Sequence, residues 1–247
     1  MAEIMSGKGI TKKFGDKTIL SEVDLAIEEG EVVALLGPSG SGKSTLLRCL
    51  NGLETIASGE LFFDGKKIHP TEKNWQKLRP EIGMVFQSYD LFPNKTVLEN
   101  LLMGPVKVQK RDPQEVEQTA LDWLARVGLQ DRAHDYPRQL SGGQKQRVAI
   151  LRSLCMEPRL MLFDEVTASL DPEMVREVLE VILELAQTDK TLLIVTHEMA
   201  FARQVSDRVL FMAAGRIVEN SATPAFFSRP QTKRAQDFLQ SLDYTNL

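Results

Sequence analysis

A glycine-rich segment constrains this chain of 247 residues more than any other feature of its sequence. It reads Gly37-Pro38-Ser39-Gly40-Ser41-Gly42-Lys43-Ser44-Thr45 and fits the pattern G-x-x-x-x-G-K-[ST]. The short apolar segment 32–36 precedes it, and Leu46, Leu47 and Leu50 follow at helical spacing. Glycines let the backbone turn its N–H groups inward, and a helix that begins near Lys43 adds its positive end. The segment therefore predicts a loop that holds phosphate groups.

The residue types of this loop also predict how it would hold a triphosphate. Lys43 would reach the β- and γ-phosphates, and the Ser44 hydroxyl would be a ligand of Mg²⁺. The pattern indicates nucleotide binding and leaves the reaction open, because kinases, GTPases, recombinases and transport ATPases all use such a loop.

Short apolar segments alternate with amphipathic ones along most of the chain. The segments 82–86, 160–163 and 191–196 have the length and composition of buried strands. Pro113 and Pro172 each open a segment with apolar residues at helical spacing. This alternation predicts an α/β fold with a largely parallel sheet. Residues 89–157 lack strand patterns, and we expect them to form a helical insert.

Composition and charge narrow the class of protein. The formal net charge is −4, which gives no basic field for nucleic acid. Residues 1–6 show no signal-peptide pattern, and the apolar runs are too short to span a membrane. Cys49 and Cys155 lie in apolar helical patterns and are expected to be buried free thiols. We expect a cytosolic protein whose contact with a membrane comes through a partner.

A pair of acidic residues follows a predicted strand and is the second candidate motif. The apolar residues 160–163 end at Asp164 and Glu165. Ligands of parallel sheets bind at the carboxyl ends of the strands, so this pair should lie near the phosphate loop. Asp164 would hold Mg²⁺ through water, and Glu165 would take a proton from an attacking water.

A second candidate anion site begins at residue 140. The segment Leu140-Ser141-Gly142-Gly143-Gln144 precedes a helix with apolar residues at helical spacing. Ser141 is a plausible N-cap, and the two glycines expose N–H groups at a helix start. These residues alone are equally compatible with a capped helix that has a basic first turn.

The whole set of motifs resembles the ATP-binding-cassette (ABC) ATPases. The sequence LSGGQ at 140–144 matches the signature of that family, and the other family elements occur in order. The matching positions are Phe14 for the aromatic that stacks on adenine, Gln87 for the Q-loop, Asp164-Glu165 for Walker B, Ser169-Leu170-Asp171-Pro172 for the D-loop and His197 for the switch histidine. The resemblance covers nearly the whole chain.

The resemblance implies a fold, a mechanism and a set of site residues. The fold would be a P-loop NTPase with a RecA-like core and a mainly parallel sheet, an N-terminal antiparallel β subdomain and an inserted α-helical subdomain. The chain would form one ABC ATPase domain, with 1–88 and 157–247 as nucleotide-binding core and 89–156 as helical signature subdomain. Two cassettes would pair head to tail, with each ATP between the phosphate loop of one and the signature of the other.

The site residues follow from the same resemblance. Catalytic roles are implied for Glu165, His197, Lys43 and Gln87, and contacts with Mg²⁺ for Ser44, Gln87 and Asp164. Contacts with ATP are implied for Phe14, for all nine residues from Gly37 to Thr45, and, across the dimer, for Ser141, Gly142, Gly143, Gln144 and Asp171.

The chain departs from the family pattern beside the Walker B pair. The family usually has Pro, Ser and Ala where this chain has Val166, Ala168 and Ser169. Val166 removes a φ constraint, and the exchange of the small residues displaces a hydroxyl group. We expect altered coupling across the dimer, so restoring all three residues should change the cooperativity of hydrolysis in ATP.

Within the family, the chain looks like the ATPase subunits of polar-amino-acid uptake transporters. The segments 82–87, 91–93, 96–100, 161–165 and 196–199 carry this likeness. It implies a permease and, indirectly, a substrate-binding protein as partners, with the chain on the inner face of the cell membrane. The alternatives are a soluble ABC ATPase and the ATPase of another small-solute or lipid transporter. Tyr89, Leu91 and Phe92 would either line a groove for the permease or pack in the core.

Overall fold

The computed structural model describes residues 2–168 and 170–243. Within them the strands are β1 (Glu3–Phe14), β2 (Lys17–Glu28), β3 (Val32–Leu36), β4 (Ser58–Phe63), β5 (Lys66–Lys67), β6 (Ile82–Val85), β7 (Leu160–Asp164), β8 (Thr191–Val195), β9 (Arg208–Ala213) and β10 (Arg216–Ala222). The helices are α1 (Lys43–Leu50), α2 (Glu72–Leu78), α3 (Val97–Lys107), α4 (Pro113–Arg126), α5 (Gly142–Leu154), α6 (Pro172–Ala186), α7 (Met199–Val205), α8 (Thr223–Ser228) and α9 (Lys233–Asp243).

The central sheet has the strand order β10-β9-β3-β8-β7-β6. The strands from β9 to β6 run parallel, and β10 pairs antiparallel with β9. Every residue of β3, β7 and β8 is buried, as expected for parallel strands covered on both faces. The predicted α/β fold with a mainly parallel sheet is confirmed.

The strand order brings three loops together. Because β8 lies between β3 and β7, the carboxyl ends of these strands are neighbours. The phosphate loop follows β3, Glu165 follows β7, and His197 lies two residues beyond the end of β8. Residues that are far apart in the chain thus share one edge of the sheet.

A second, antiparallel sheet has the order β2-β1-β4-β5 and corresponds to the expected N-terminal β subdomain. The alternation of polar and apolar residues does not predict where the long strands β1 and β2 begin and end. Their pairing shifts register at several points, including the step from Gly7 to Ile10. Each such irregularity interrupts the period of two on which a sequence prediction relies.

The predicted helical insert contains α3, α4 and α5. Thr96 and Asp112 cap α3 and α4 with their side chains, which fixes where these helices begin. Leu101 of α3 and Leu151 of α5 belong to the same hydrophobic cluster as Phe163 of the central sheet. The insert therefore packs directly on the sheet, and the exact subdomain bounds remain a prediction.

Two properties bear on the expected environment of the chain. In residues 2–168 and 170–243, the structure has no helix of sufficient length and hydropathy to cross a membrane. Cys49 and Cys155 are buried and free, as predicted. Burial raises the pKa of each thiol to about 12.

Candidate nucleotide-binding site

The phosphate loop takes the backbone conformation that its glycines predict. Gly37, Gly40 and Gly42 have φ angles of 147°, 74° and 105°. A Cβ on Gly37 would lie 2.1 Å from a carbonyl oxygen of β9, so the loop passes too close to that strand for any side chain here. The Ser41 hydroxyl oxygen is buried and has no hydrogen-bond partner among the described residues. A buried hydroxyl that lacks a partner is satisfied by an added polar group, and a phosphate oxygen suits this position.

Lys43 folds back over the loop that it terminates. Its Nζ donates to the carbonyl oxygens of Gly37 at 2.9 Å and Pro38 at 3.1 Å, and its side chain is buried. Burial lowers the pKa of Lys43, although the carboxylates of Asp164 and Glu165 act in the opposite direction. The ammonium group is thus a desolvated cation held beside the loop, which is a suitable partner for a phosphate.

A hydrogen bond joins Ser44, in the first turn of α1, to Asp164 at the end of β7. The Ser44 hydroxyl donates to Oδ1 of Asp164 at 2.7 Å. Burial raises the pKa of Asp164, and the hydrogen bond from Ser44 offsets part of this effect. A hydroxyl and a carboxylate oxygen in contact form part of the oxygen-ligand set that Mg²⁺ prefers.

Glu165 stands between two candidate catalytic groups. Its Oε1 lies 3.0 Å from Nε2 of His197 and 3.9 Å from Nζ of Lys43. Glu165 has a φ of 48°, and its N–H donates to the carbonyl of Val195 at 3.0 Å. A left-handed conformation is costly for a residue with a side chain, and such strain is found often at functional sites.

The signature segment begins α5 as predicted. The Ser141 hydroxyl accepts a hydrogen bond from the N–H of Gln144, and the Ser141 N–H donates to Oε1 of the Gln144 side chain. Gly143 N–H donates to the sulfur of Met174 at 3.3 Å. Within the described residues, no hydrogen bond links 141–144 to the phosphate loop of the same chain. The hydrogen bonds that the structure gives for the signature segment thus stay within α5 or go to α6.

Three further predicted residues are exposed. Phe14 ends β1, and Lys12 Nζ lies 4.5 Å from its ring centroid. Phe14 as a residue is 49% exposed, which leaves surface for a stacked base. Gln87 lies two residues beyond β6, and Asp171 precedes α6 without capping it through its side chain. Their predicted roles stay predictions, and Ser169 of the D-loop pattern lies outside the described residues.

An apolar groove of about 670 Å³ lies between the sheet and the helical insert. Leu53, Phe92 and Val108 line it and are among the exposed large apolar side chains. Leu91 packs against the hydrophobic core instead. The hydroxyl of Tyr89 lies 2.9 Å from the position that a Cβ on Gly142 would take. Of the three residues expected here, Phe92 alone is among those that line the groove.

Sequence reasoning missed two residues beside the signature. Met174 contacts both glycines of the signature, and Gln146 is fully buried on α5. The sequence did contain a signal for Gln146. At helical spacing it lies on the same face as Gly143 and Ile150, and a polar residue is unusual on a buried helix face. No comparable pattern marked Met174, whose contact joins two separate helices.

Comparisons with known proteins agree with this geometry. The sequence model described as ABC transporter matches residues 20–168. The arginine transport ATP-binding protein ArtM of Bacillus subtilis is 54% identical over 233 residues, which are 94% of this chain and 97% of that protein. The glutamate transport ATP-binding protein GluA of Corynebacterium glutamicum is 53% identical over 94% of this chain and 96% of its own length. The glutamate/aspartate import ATP-binding protein GltL of Escherichia coli is 50% identical over 95% and 98%.

Solved structures show the same architecture. A dimeric ATP-binding cassette in a post-hydrolysis state, bound to ADP and Pi, has a TM-score of 0.78 and 32% sequence identity. The match covers 89% of this chain and 98% of that chain. A part of the ABC transporter complex cbiONQ from Clostridium perfringens has a TM-score of 0.81 and 30% identity, with 100% and 99% covered.

Proposed function

Since the chain belongs to the ABC transporter family, we propose that this ATPase energises the uptake of a polar amino acid through partner membrane subunits. The likeness to amino-acid transport ATP-binding proteins carries the proposal. These relatives are about half identical to the chain and are matched over more than nine-tenths of their own length. Relatives of this kind are named for transport of arginine, glutamine, glutamate or cystine. We therefore propose polar amino acids as the substrate class and select no single member.

In the proposed site, the loop 37–45 wraps the phosphates of ATP and Phe14 stacks on the adenine. Lys43 turns its ammonium group from the loop carbonyls to the β- and γ-phosphates. Ser44, Asp164 and Gln87 would hold Mg²⁺, directly or through water, and their oxygen atoms fit that ion. When bound, Mg²⁺ neutralises charge on the phosphate oxygens.

The reaction that these residues support is transfer of the γ-phosphoryl group to water. The water oxygen forms a bond to the γ-phosphorus, and the bond from that phosphorus to the bridging oxygen of ADP breaks. Glu165 accepts a proton from the water, and His197 contacts the γ-phosphate and holds Glu165 in place. Gln87 orients the water or the metal ion.

Head-to-tail pairing would complete this site with residues of a second cassette. Ser141, Gly142, Gly143 and Gln144 would bind the γ-phosphate of the partner's ATP, with Asp171 at the same interface. Among the described residues, no hydrogen bond joins the signature to the phosphate loop of the same chain, which agrees with this arrangement. The sulfur of Met174 that accepts from Gly143 N–H is a weak acceptor, which a phosphate oxygen would replace.

The groove beside Phe92 would receive a segment of the permease. Exposed apolar side chains at its rim support this, since large exposed apolar patches mark interaction sites. The chain would then lie at the cytoplasmic face of the cell membrane, and a substrate-binding protein would deliver the amino acid to the permease from the other side. A nucleic acid is not among the proposed partners.

Uptake by the host tests the proposal. The Glu165→Gln variant replaces the wild-type chain, and uptake of labelled arginine, glutamine, glutamate and cystine is measured. We expect at least one uptake activity to fall to background, because the base for hydrolysis is lost. The matched variant Glu184→Gln, which neutralises an exposed glutamate of α6, should leave that activity unchanged. If all four are unchanged, the assay is extended to the remaining polar amino acids, and unchanged uptake of every one in the Glu165→Gln strain would contradict the proposed substrate class.

A further inference from the structure

Helix α5 holds the backbone on both sides of Gln87. Nε2 of Gln146 donates to the carbonyl oxygen of Phe86 at 3.1 Å. Nη1 of Arg152 donates to the carbonyl oxygen of Asp90 at 2.6 Å. Phe86 comes directly before Gln87, and Asp90 comes three residues after it. The segment that carries Gln87 is therefore anchored at both ends to the helix that begins with the signature.

The burial of Gln146 calls for a reason other than packing. Its side chain is completely buried, and Oε1 has no hydrogen-bond partner among the described residues. An amide oxygen that is buried without a partner costs free energy, whereas a methionine of similar length would bury no polar atom. Within residues 2–168 and 170–243, the side chain of Gln146 makes one hydrogen bond, to Phe86, and a methionine would lose it.

The same helix also contacts the far side of this segment. Gly142, the first residue of α5, lies against the hydroxyl of Tyr89. A helix moves as a rigid element, because each backbone N–H is bonded four residues back. A displacement of the signature thus reaches Gln87 through Gln146 and Tyr89 without any contact with the nucleotide.

We propose that Gln146 is a positioning residue for Gln87, an inference that rests on the proposed function of Gln87 in ATP hydrolysis. Its amide N–H group fixes the peptide at Phe86, so Gln87 and the signature segment 141–144 move as one body. Gln146 itself touches neither ATP nor the reacting water.

Steady-state ATP hydrolysis by the full chain tests this role. Gln146→Met keeps the length of the side chain and removes the donor. We expect kcat to fall about fivefold, the equivalent of one lost hydrogen bond, while KM for ATP changes less than about twofold. Gln146→Leu, which also removes the donor and buries no polar atom, provides a second variant with the same expected result.

Gln109 offers a matched control. Its Nε2 donates to the carbonyl oxygen of Met156 at 2.8 Å, and its Oε1 is also buried without a partner among the described residues. Gln109→Met thus loses the same kind of contact at a place remote from Gln87 in the chain. We expect its kcat to equal that of the wild type.

A double substitution separates action through Gln87 from a general effect. If Gln146 acts through Gln87, the chain with both Gln87→Ala and Gln146→Met is no slower than Gln87→Ala alone. Losses that multiply, or a kcat for Gln146→Met that equals that of Gln109→Met, would overturn the inference while the proposed function stands. A Gln87→Ala chain as fast as wild type, or a wild-type chain without hydrolysis, would remove the proposed function as well.

Discussion

Asp164→Asn is expected to stabilise the fold while it stops hydrolysis. Asp164 is only 4% exposed, and burial raises its pKa, which means that its ionised form is unfavourable in the native state. Asparagine has nearly the same shape and still accepts the hydrogen bond from Ser44. The change therefore removes a buried charge and leaves the loop geometry in place.

The size of the gain follows from three contributions. Relief of desolvation favours the variant by several kcal/mol per ion. Against this, the bond from Ser44 weakens by about 1 kcal/mol when its acceptor is neutral, and the attraction of Arg48 and Lys43 for a carboxylate is lost. The net gain is about 1–2 kcal/mol in the free energy of unfolding, a rise in Tm of about 2–8 °C for a chain of this size.

The pH dependence of this gain has a definite sign. The native pKa of Asp164 lies above the ordinary value of 3.8, so the native state takes up the proton first as the pH falls. The destabilisation in the wild type is thus fully present at pH values above the raised pKa and disappears as the pH falls from that pKa towards 3.8. The difference in Tm between variant and wild type should disappear over the same interval.

Thermal unfolding of the nucleotide-free chain and its ATP hydrolysis with Mg²⁺ give the two readouts. Asp207→Asn is the control, because Asp207 is exposed and accepts a hydrogen bond from Val32 N–H at 2.9 Å. We expect no gain in Tm from that variant. A fall in Tm for Asp164→Asn, or hydrolysis near the wild-type rate, would refute the reasoning.

Three further predictions concern other parts of the chain. Glu219 accepts four hydrogen bonds from Ser221, Gln231 and Thr232. Burial would raise the pKa of Glu219, but these hydrogen bonds lower it overall. Glu219→Ala should therefore loosen α9 and lower Tm, which hydrogen exchange of the α9 amides and thermal unfolding would measure. Cys49 and Cys155 should resist a thiol reagent at pH 8 in the native chain and react after unfolding, because their pKa values are about 12. Gly37→Ala should weaken ATP binding at least about tenfold by displacing the loop, whereas Gly65→Ala, also at positive φ but with no atom within 4 Å, should not.

The phosphate loop and its flanking elements could be predicted because their determinants are local. The apolar run of β3, the glycines and the leucines of α1 each follow a rule that needs no distant residue. Ser141 was predicted as an N-cap for the same reason, and the structure shows its side chain in that role. The starts of α4 at Pro113 and of α6 at Pro172 also follow from local chemistry.

The contacts within the site depend on strand order, which local patterns do not encode. That Ser44 meets Asp164, and that Glu165 lies between Lys43 and His197, follows from β8 lying between β3 and β7. The resemblance to a family implied that these residues share one site, but the strand order that brings them together came from the structure.

Side chains that join two elements were the hardest to predict. Leu91 and Phe92 are adjacent and both apolar, yet one packs in the core and the other lines the groove. Gln146 reaches Phe86 across the boundary between the helical insert and the sheet. Its amide could be recognised as unusual on a buried helix face, but its partner could not be named before the fold was known.

The most direct test of the transport function is capture of the chain's partner from host membranes. A tagged Glu165→Gln chain, which should bind ATP without hydrolysing it and so hold the closed dimer, is purified from detergent-solubilised membranes with ATP present. We expect an integral permease with several membrane spans to copurify, and to be lost when the Phe92 groove is altered. Recovery of ribosomal or DNA-repair proteins, with no membrane subunit, would contradict the account of the chain as the ATPase of an importer.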